Sequence, residues 1–284
     1  AFSSKKSALA SKFSDEFNRS FHLSKKSDRG ETQIFEILNQ NSKQLSFYRN
    51  ENQVDILKVK LEKPLQIGES TSFIIKYQIT LPNTKFTKFG FSENKILLKN
   101  CFLTISTFNS ETQSEENSDD LTSEISNYKI DIKHDNLFLT TDLNVTNSNA
   151  NSSQLTGNSR TNFFIVLEKN NSYEEFKNDK INIVTNLKSK DVAVYEKVLL
   201  IDKITNYVAE NIGFSNQEKI MVSQEDYDRE AFYGLNELPS FISPFNDDFV
   251  FELKFLKTYL NNYLAANLKI NFRKDHWILE GIQH

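Results

Sequence analysis

The sequence predicts an α+β fold, with an antiparallel β domain first and a helix-rich part after it. Short runs of alternating apolar and polar residues recur from about residue 31 to residue 190. Such runs are typical of half-buried strands in a sandwich or saddle, and not of strand–helix–strand units. Near residue 190 the apolar period becomes that of a helix. We therefore predict three parts: an N-terminal segment at 1–30, a β domain at 31–190 and a second domain at 191–284.

Length and composition limit the classes of protein to which this chain can belong. Its 284 residues suffice for one large domain or two smaller ones. The net charge of −4 gives no basic surface for nucleic acid. No apolar run approaches the roughly 20 residues of a membrane span. The single cysteine, Cys101, excludes an intrachain disulfide.

The two ends of the sequence support two further predictions about its structure. Residues 1–30 are rich in Ser and Lys, and the spacing of Leu9, Phe13 and Phe17 favours one short amphipathic helix in an otherwise loosely structured segment. The chain begins at Ala1, and its last helical pattern reaches His284 without a stop signal. We expect a chain truncated within its last domain.

The β domain is predicted strand by strand. Residues 54–61 and 72–81 alternate cleanly, and Pro82 with Asn83 ends the second run. Two stretches rich in Asn and Ser lack apolar periodicity and are predicted to be solvated loops, at 109–123 and 146–160. The remaining strands are predicted at 33–38, 95–99, 128–133, 137–143, 162–168 and 181–185.

The second domain is predicted from helical periodicity. An apolar stripe indicates a helix that Gly213 ends, with its residues at Val194, Val198, Ile201, Thr205, Val208 and Ile212. A strand at 218–223 and a turn-rich stretch at 233–240 follow. Apolar spacing then predicts a long amphipathic helix over 249–264 and a last helix that begins near Trp277.

The order of these elements, with several short motifs, resembles a known family. The β part has Leu61-x-x-Pro64-Leu65-x-x-Gly68-Glu69-Ser70, then Tyr77-x-x-x-Leu81-Pro82, and later Arg160-x-Asn162-Phe163. The second part has Trp277-Ile278-Leu279-Glu280-Gly281. Together they resemble the aminopeptidase-N-like zinc peptidases (gluzincins), including Bacteroidota representatives, over residues 31–284. The resemblance implies a β saddle domain followed by the first part of a thermolysin-like α/β peptidase domain.

The resemblance also implies where a metal site would lie. Such enzymes hold zinc with two histidines of an HExxH helix and a glutamate of a later helix, and Glu280 matches that third ligand. No histidine lies between His134 and His276. One alignment places Phe255 and Tyr259 at the histidine positions, with Leu256 for the base. A register counted back from Glu280 places Lys257 and Asn261 there.

Neither register supplies two imidazoles, so we expect no catalytic residues, no bound metal and no cofactor. Zinc enters only under the alternative of an active enzyme. Gly234 and Glu237 match the family's amine-binding stretch and are candidate substrate-binding residues, although a solvated loop carboxylate is the simpler interpretation. His276, Glu280 and His284 share a helical spacing, which is a weaker alternative for a metal. His22 and His134 are predicted to be structural or exposed, and Cys101 to be a small buried side chain.

These observations predict a catalytically inactive aminopeptidase-N-like protein that serves as a structural or protein- or peptide-binding module. We expect it in a membrane-associated complex of a bacterial cell envelope, in the periplasm or at the cell surface, with the cytoplasm as the alternative location. Its partner would be a protein or peptide. The alternative function is an active zinc metalloaminopeptidase whose site is rearranged, or is completed by residues beyond His284.

Overall fold

The computed structural model describes residues 5, 8–15, 19–50, 53–86, 88–105, 124–229, 231–232, 244–268, 277–278 and 281–282. In these ranges the protein is a mixed α and β fold, built mostly from antiparallel open sheets with few helices. The α+β class is confirmed at this level. The chain divides into two compact units, the first of Ala1–Phe86 with Phe108–Leu121 and the second of Thr87–Thr107 with Thr122–His284. The domain boundaries at residues 30 and 190 stay predictions.

The first unit consists of a short helix and two antiparallel strand pairs. β1 pairs with β4 and β2 pairs with β3, both antiparallel. A single 3-10 turn at Lys26–Asp28 precedes the strands. The elements are α1 (Ala8–Asp15), β1 (Glu31–Asn39), β2 (Phe47–Asn50), β3 (Gln53–Val59) and β4 (Phe73–Thr80).

Helix α1 docks through aromatic side chains. Phe13 and Phe21 are buried together with Ala10 and Phe86. The rings of Phe21 and Phe86 meet edge to face with their centroids 5.2 Å apart, a favoured aromatic geometry. The predicted short helix is thus present, and it is held against the chain that follows β4.

In the second unit, nine of the ten described strands precede the first helix. The strands are β5 (Gly90–Phe91), β6 (Lys95–Leu98), β7 (Ser126–Lys133), β8 (Phe138–Thr141), β9 (Asn144–Ser148), β10 (Ser152–Arg160), β11 (Ile165–Glu168), β12 (Glu174–Lys177), β13 (Asn182–Thr185) and β14 (Lys219–Val222). They form three sheets, in the orders β5-β6-β11-β8, β7-β10-β9 and β12-β13-β14.

The prediction of a loop at 146–160 is wrong, because most of these residues belong to β9 and β10. The Asn149 side chain closes the turn between them, where its Oδ1 accepts the backbone N–H of Asn151 and of Ser152, each at 2.9 Å. In β10, Ser153 and Leu155 are buried at alternate positions. The strand lies between β7 and β9, so it is hydrogen-bonded on both sides despite its polar composition. The predicted loop at 109–123 lies outside the described residues.

A strand–helix–strand unit spans residue 190. The alternating pattern of residues 31–190 had predicted no such unit. β13 pairs in parallel with β14, and the two are joined through α2 (Val194–Asn211). Ile183 and Val184 are consecutive and both buried, which is typical of a strand covered on both faces. A strand only four residues long, with no polar alternation, gave no period from which to predict this pairing.

The helices of the second unit begin and end at recognisable residues. In α2, the Glu196 carboxylate accepts the backbone N–H of Ala193 at 3.0 Å, and Gly213, at φ +122°, follows the last turn as predicted. In α4 (Asp247–Asn267), Asp247 and Asp248 lie in the first turn, where carboxylates interact favourably with the positive end of the helix dipole. The short helix α3 (Gln224–Arg229) was not predicted.

One core joins these helices to the β12-β13-β14 sheet. Ile201 and Val208 of α2 and Val222 of β14 pack with Phe255 and Leu264 of α4 in this core. Two further cores lie on the β5-β6-β11-β8 sheet. In one, Val166 of β11 packs with Val184 of β13 and Met221 of β14. In the other, Ile165 of β11 packs with Leu143 and with Leu155 of β10. Across the described ranges, no helix combines the length and the apolar character that a membrane crossing requires.

Candidate functional site

The face of α4 that enters the core is a ladder of aromatic rings. Phe251, Phe255, Tyr259 and Tyr263 follow one another at every fourth residue, and all four are buried. Successive ring centroids lie 6.1, 5.6 and 5.7 Å apart. Because residues four apart share a helix face, this ladder lines the core-facing side from Phe251 to Tyr263, with Leu260 and Leu264 buried beside it.

The first alignment of the zinc site therefore falls on core residues. Phe255 is 0% exposed and Tyr259 is 2% exposed. A phenyl ring offers no donor atom, and burial raises the pKa of the Tyr259 phenol, which holds it in its neutral form. Neither side chain provides the imidazole nitrogens that a zinc peptidase site uses.

The second alignment falls on a different face of α4, which we call the lysine face and define as Lys254, Lys257 and Thr258. The Lys257 ammonium lies 4.6 Å from the ring centroid of Phe232. The Lys254 ammonium lies 5.4 Å from the ring centroid of Tyr227 in α3. Both lysines are half-buried, so each ammonium rests on an aromatic surface, a favourable placement for a cation.

The ionisation of Lys254 responds to its surroundings. Burial lowers its pKa, and the nearby positive charge of Lys188 acts in the same direction, while Asp228 and Asp247 oppose the shift. Of the two carboxylates, Asp228 also accepts a hydrogen bond from Gln224 Nε2 at 2.7 Å. The Lys254 ammonium is thus partly desolvated and lies among charges of both signs.

Thr258 adds an unsatisfied hydroxyl to this face. The residue is 4% exposed, and its Oγ1 has no hydrogen-bond partner in the described part of the chain. A buried threonine within a helix ordinarily bonds the carbonyl four residues back. Thr205 of α2 does so, donating to the Ile201 carbonyl at 2.8 Å. Thr258 departs from that pattern.

An ion-pair network lies on the neighbouring side of α3, and the sequence patterns did not reveal it. Lys99 Nζ lies 2.8 Å from Asp226 Oδ1, and Asn262 of α4 donates to Asp226 Oδ2 at 3.2 Å and to the Met221 carbonyl at 2.8 Å. Burial alone would raise the pKa of Asp226, but the charge of Lys99 and these hydrogen bonds hold it below its ordinary value. The network fixes α3 and α4 to β6 and β14.

A second ion pair extends the network along β6. Lys95 Nζ lies 2.9 Å from Glu225 Oε1 and 3.6 Å from Glu168 Oε2. Glu168 also accepts the backbone N–H and the hydroxyl of Ser172, at 2.7 and 2.8 Å. Each of these charges has a partner of opposite sign, so we interpret the network as structural.

The Arg160 motif is also structural. The Arg160 guanidinium donates to Asp142 Oδ2 at 3.2 Å and to the Asp142 carbonyl at 2.7 Å. The other carboxylate oxygen of Asp142 accepts the Phe164 N–H at 2.8 Å. These bonds tie the end of β10 to the turn between β8 and β9.

The remaining predicted residues are scattered. His22 Nε2 lies 2.7 Å from Ser14 Oγ in the first unit. His134 is buried, with its Nε2 3.0 Å from Ser153 Oγ. Cys101 is half-buried, and burial raises the pKa of its thiol to about 12, which makes it a poor nucleophile. His22 and His134 have the structural character that the sequence predicted, whereas Cys101 is half-buried where a buried side chain was predicted.

Several candidate residues have no described position. Glu280, Glu237, Gly234, His276 and His284 lie outside the described residues, and their predicted roles stay predictions. Among the side chains that are described, no three or more His, Cys, Asp or Glu residues converge to hold a metal ion.

Comparison with known proteins gives no family assignment. No protein-family model matches the chain, and no curated protein is similar to it in sequence.

Proposed function

We propose that this chain is a catalytically inactive aminopeptidase-N-like protein that binds a protein or peptide partner in a bacterial envelope complex. One observation carries the proposal: α4, the helix at the position of the zinc-binding helix in the resemblance, uses its core face for an aromatic ladder and its other face for two lysines. Phe255 and Tyr259 belong to the ladder, and Lys257 belongs to the lysine face.

Donor chemistry supports the inactive state in either register. The core face offers phenyl and neutral phenol groups, which do not replace imidazole nitrogens. The lysine face offers ammonium groups, which repel a dication. The scaffold around α4 is nevertheless fully built, with Asp226, Lys99 and Asn262 joined in one buried network. Retention of such a scaffold without zinc ligands favours a binding role.

An exposed apolar surface on α2 supports a protein partner. Tyr195 and Leu199, one turn apart, are 66% and 64% exposed. Val194 and Val198 beside them are 62% and 38% exposed. Contiguous apolar side chains in solvent are typical of protein contacts. We call these four residues the α2 patch.

Metal analysis and a peptidase assay test the inactive state. The purified protein is dialysed against zinc, its zinc content is measured by mass spectrometry, and leucine p-nitroanilide is supplied as substrate. We expect no stoichiometric zinc and no turnover. Stoichiometric zinc, together with turnover that Glu280→Ala abolishes, would establish the active enzyme instead.

Co-purification from membranes tests the binding role. The tagged protein is isolated from a detergent extract of its own cells, and partners are identified by mass spectrometry. We expect Leu199→Asp to release the partner, whereas Tyr207→Asp, at a position 63% exposed on the same helix outside the α2 patch, retains it. A protein that elutes alone as a soluble monomer would contradict the binding role.

A further inference from the structure

Lys254 and Lys257 differ from Lys95 and Lys99, which are also half-buried, in having no counter-ion among the described residues. Lys95 and Lys99 each lie within 3 Å of a carboxylate oxygen, at 2.9 and 2.8 Å. Lys254 and Lys257 have no carboxylate at ion-pair distance among the described residues, and each contacts an aromatic ring instead. Partly desolvated ammonium groups without a partner favour the approach of an anion.

Thr258 supplies a separate indication of a ligand. Its hydroxyl is buried and has no partner within the described ranges, while the equivalent hydroxyl of Thr205 is satisfied by its own helix. A buried polar group without a partner is costly, and a bound ligand is one way to satisfy it. Lys257 and Thr258 lie three and four residues after Lys254, so each of them neighbours Lys254 on the helix surface.

The surrounding charges limit the size of the anion that this face could bind. Lys188 adds a third positive charge near Lys254, against the carboxylates of Asp228 and Asp247. Asp228 already accepts a hydrogen bond from Gln224. A bulky polyanion such as nucleic acid would meet both acidic groups, whereas a single carboxylate needs only the two ammonium groups and the hydroxyl.

We propose that the lysine face binds a carboxylate of a peptide, with the Lys254 and Lys257 ammonium groups as ion partners and the Thr258 hydroxyl as a hydrogen-bond donor. The inference deepens the proposed binding function and rests on it. The ligand would be an anionic group, whereas the site of an aminopeptidase binds the cationic N-terminus of a peptide. The carboxylate comes from a free C-terminus or from an acidic side chain, and both share the same recognition.

Binding of labelled peptides tests the inference. Three degenerate pentapeptide mixtures, each with an uncharged BODIPY label, are compared by fluorescence anisotropy: one with a free C-terminus and no acidic residues, one amidated and without acidic residues, and one amidated with a central Glu. We expect the fully neutral amidated mixture to bind about tenfold more weakly than at least one carboxylate mixture, as loss of a charge-assisted hydrogen bond implies. The better of the two carboxylate mixtures identifies the source.

Substitutions separate the lysine face from general charge effects. Lys254→Met and Lys257→Met each remove an ammonium group but retain an apolar stem, and Thr258→Val removes only the hydroxyl. We expect each lysine substitution to weaken binding about tenfold and Thr258→Val to weaken it several-fold. Lys177→Met removes the same charge from an exposed position on β12 and should leave affinity unchanged. Unfolding midpoints confirm that each variant is folded.

The outcomes distinguish this inference from the function on which it rests. Equal binding of all three mixtures, unaffected by Lys254→Met, Lys257→Met and Thr258→Val, would overturn the carboxylate site and leave a peptide-binding protein. Absence of binding by every mixture would overturn the site as well, while the protein-binding role would still be decided by membrane co-purification. Equal weakening by Lys177→Met and Lys257→Met would show non-specific electrostatics and also overturn it.

Discussion

The ring of Phe255 stacks on the ring of Tyr259, with centroids 5.6 Å apart and planes inclined by 12°. The contact lies inside the core that α4 shares with α2 and β14. A helix that fills its inner face with stacked aromatic side chains gains stability from that face and offers no ligand there.

Truncation of the ladder tests its contribution to stability. Phe255→Ala should lower the free energy of unfolding by about 3–5 kcal/mol, because a fully buried ring is replaced by a cavity. Urea denaturation followed by circular dichroism measures the change. The matched control is Phe249→Ala on the same helix, where the side chain is 42% exposed and the expected loss is below about 1 kcal/mol. Equal losses in both variants would contradict the ladder as the core of α4.

The Lys99–Asp226 pair predicts a pH-dependent stability difference. Asp226→Asn should cost about 3–5 kcal/mol at neutral pH, because it leaves Lys99 partly buried without a counter-ion. The folded pKa of Asp226 lies below its ordinary value of 3.8. The contribution of the ionised form is therefore present above about pH 4 and is lost as the pH falls through the folded pKa.

Urea denaturation of the wild-type protein and Asp226→Asn across acidic pH measures this difference. The gap between the two free energies of unfolding should narrow below about pH 4, since protonated Asp226 resembles asparagine. Asp179→Asn is the control, because Asp179 pairs with Lys180 at a side chain that is 75% exposed and should cost below about 1 kcal/mol throughout. A gap that does not change with pH would show that the ion pair does not carry the stability.

The close approach of Gly157 to Leu143 predicts a non-additive mutation pair. A Cβ at residue 157 would lie 2.4 Å from Leu143 Cδ2, and Leu143 is 0% exposed. Gly157→Ala should therefore cost about 1–3 kcal/mol by overpacking. In the Leu143→Ala background that cost should fall by more than about 0.5 kcal/mol, which a double-mutant cycle of unfolding free energies measures. Strict additivity would show that the strain does not arise from this contact.

The sequence predicted the long apolar elements, and it missed one short element and one polar element. α2 and α4 carry enough turns for a helical stripe to appear, and Gly213 marked the end of α2. α3 spans six residues with a charged surface, too few for any period. β10 was hidden by its Ser and Asn content, since its pairing on both sides depends on β7 and β9, which the local sequence does not specify.

In the candidate site, too, the sequence specified some features and packing specified others. The absence of paired histidines on α4 could be read from the residues, because donor chemistry depends on residue type alone. The faces on which Phe255 and Lys257 lie depend on how α4 packs against α2, β14 and α3. The Lys99–Asp226 pair joins residues 127 positions apart, so no local pattern could indicate it. Packing thus places the residues of the two alignments on different faces of α4, which the sequence did not specify.

Introducing histidine pairs tests which face of α4 tolerates a metal site. Lys257→His combined with Asn261→His places two imidazoles one turn apart on a half-buried face, a spacing that binds zinc or nickel. We expect this double variant to remain folded and to gain a rise in unfolding temperature with added nickel, measured by differential scanning fluorimetry. Phe255→His combined with Tyr259→His places polar rings in the core, where unsatisfied nitrogens cost stability. That variant should lose its cooperative transition, with or without metal. The assignment of the two faces would be contradicted by the opposite result. In that result, the Phe255→His and Tyr259→His variant unfolds cooperatively and is stabilised by nickel, while the Lys257→His and Asn261→His variant does not respond to nickel. The core face would then have the capacity for a metal site.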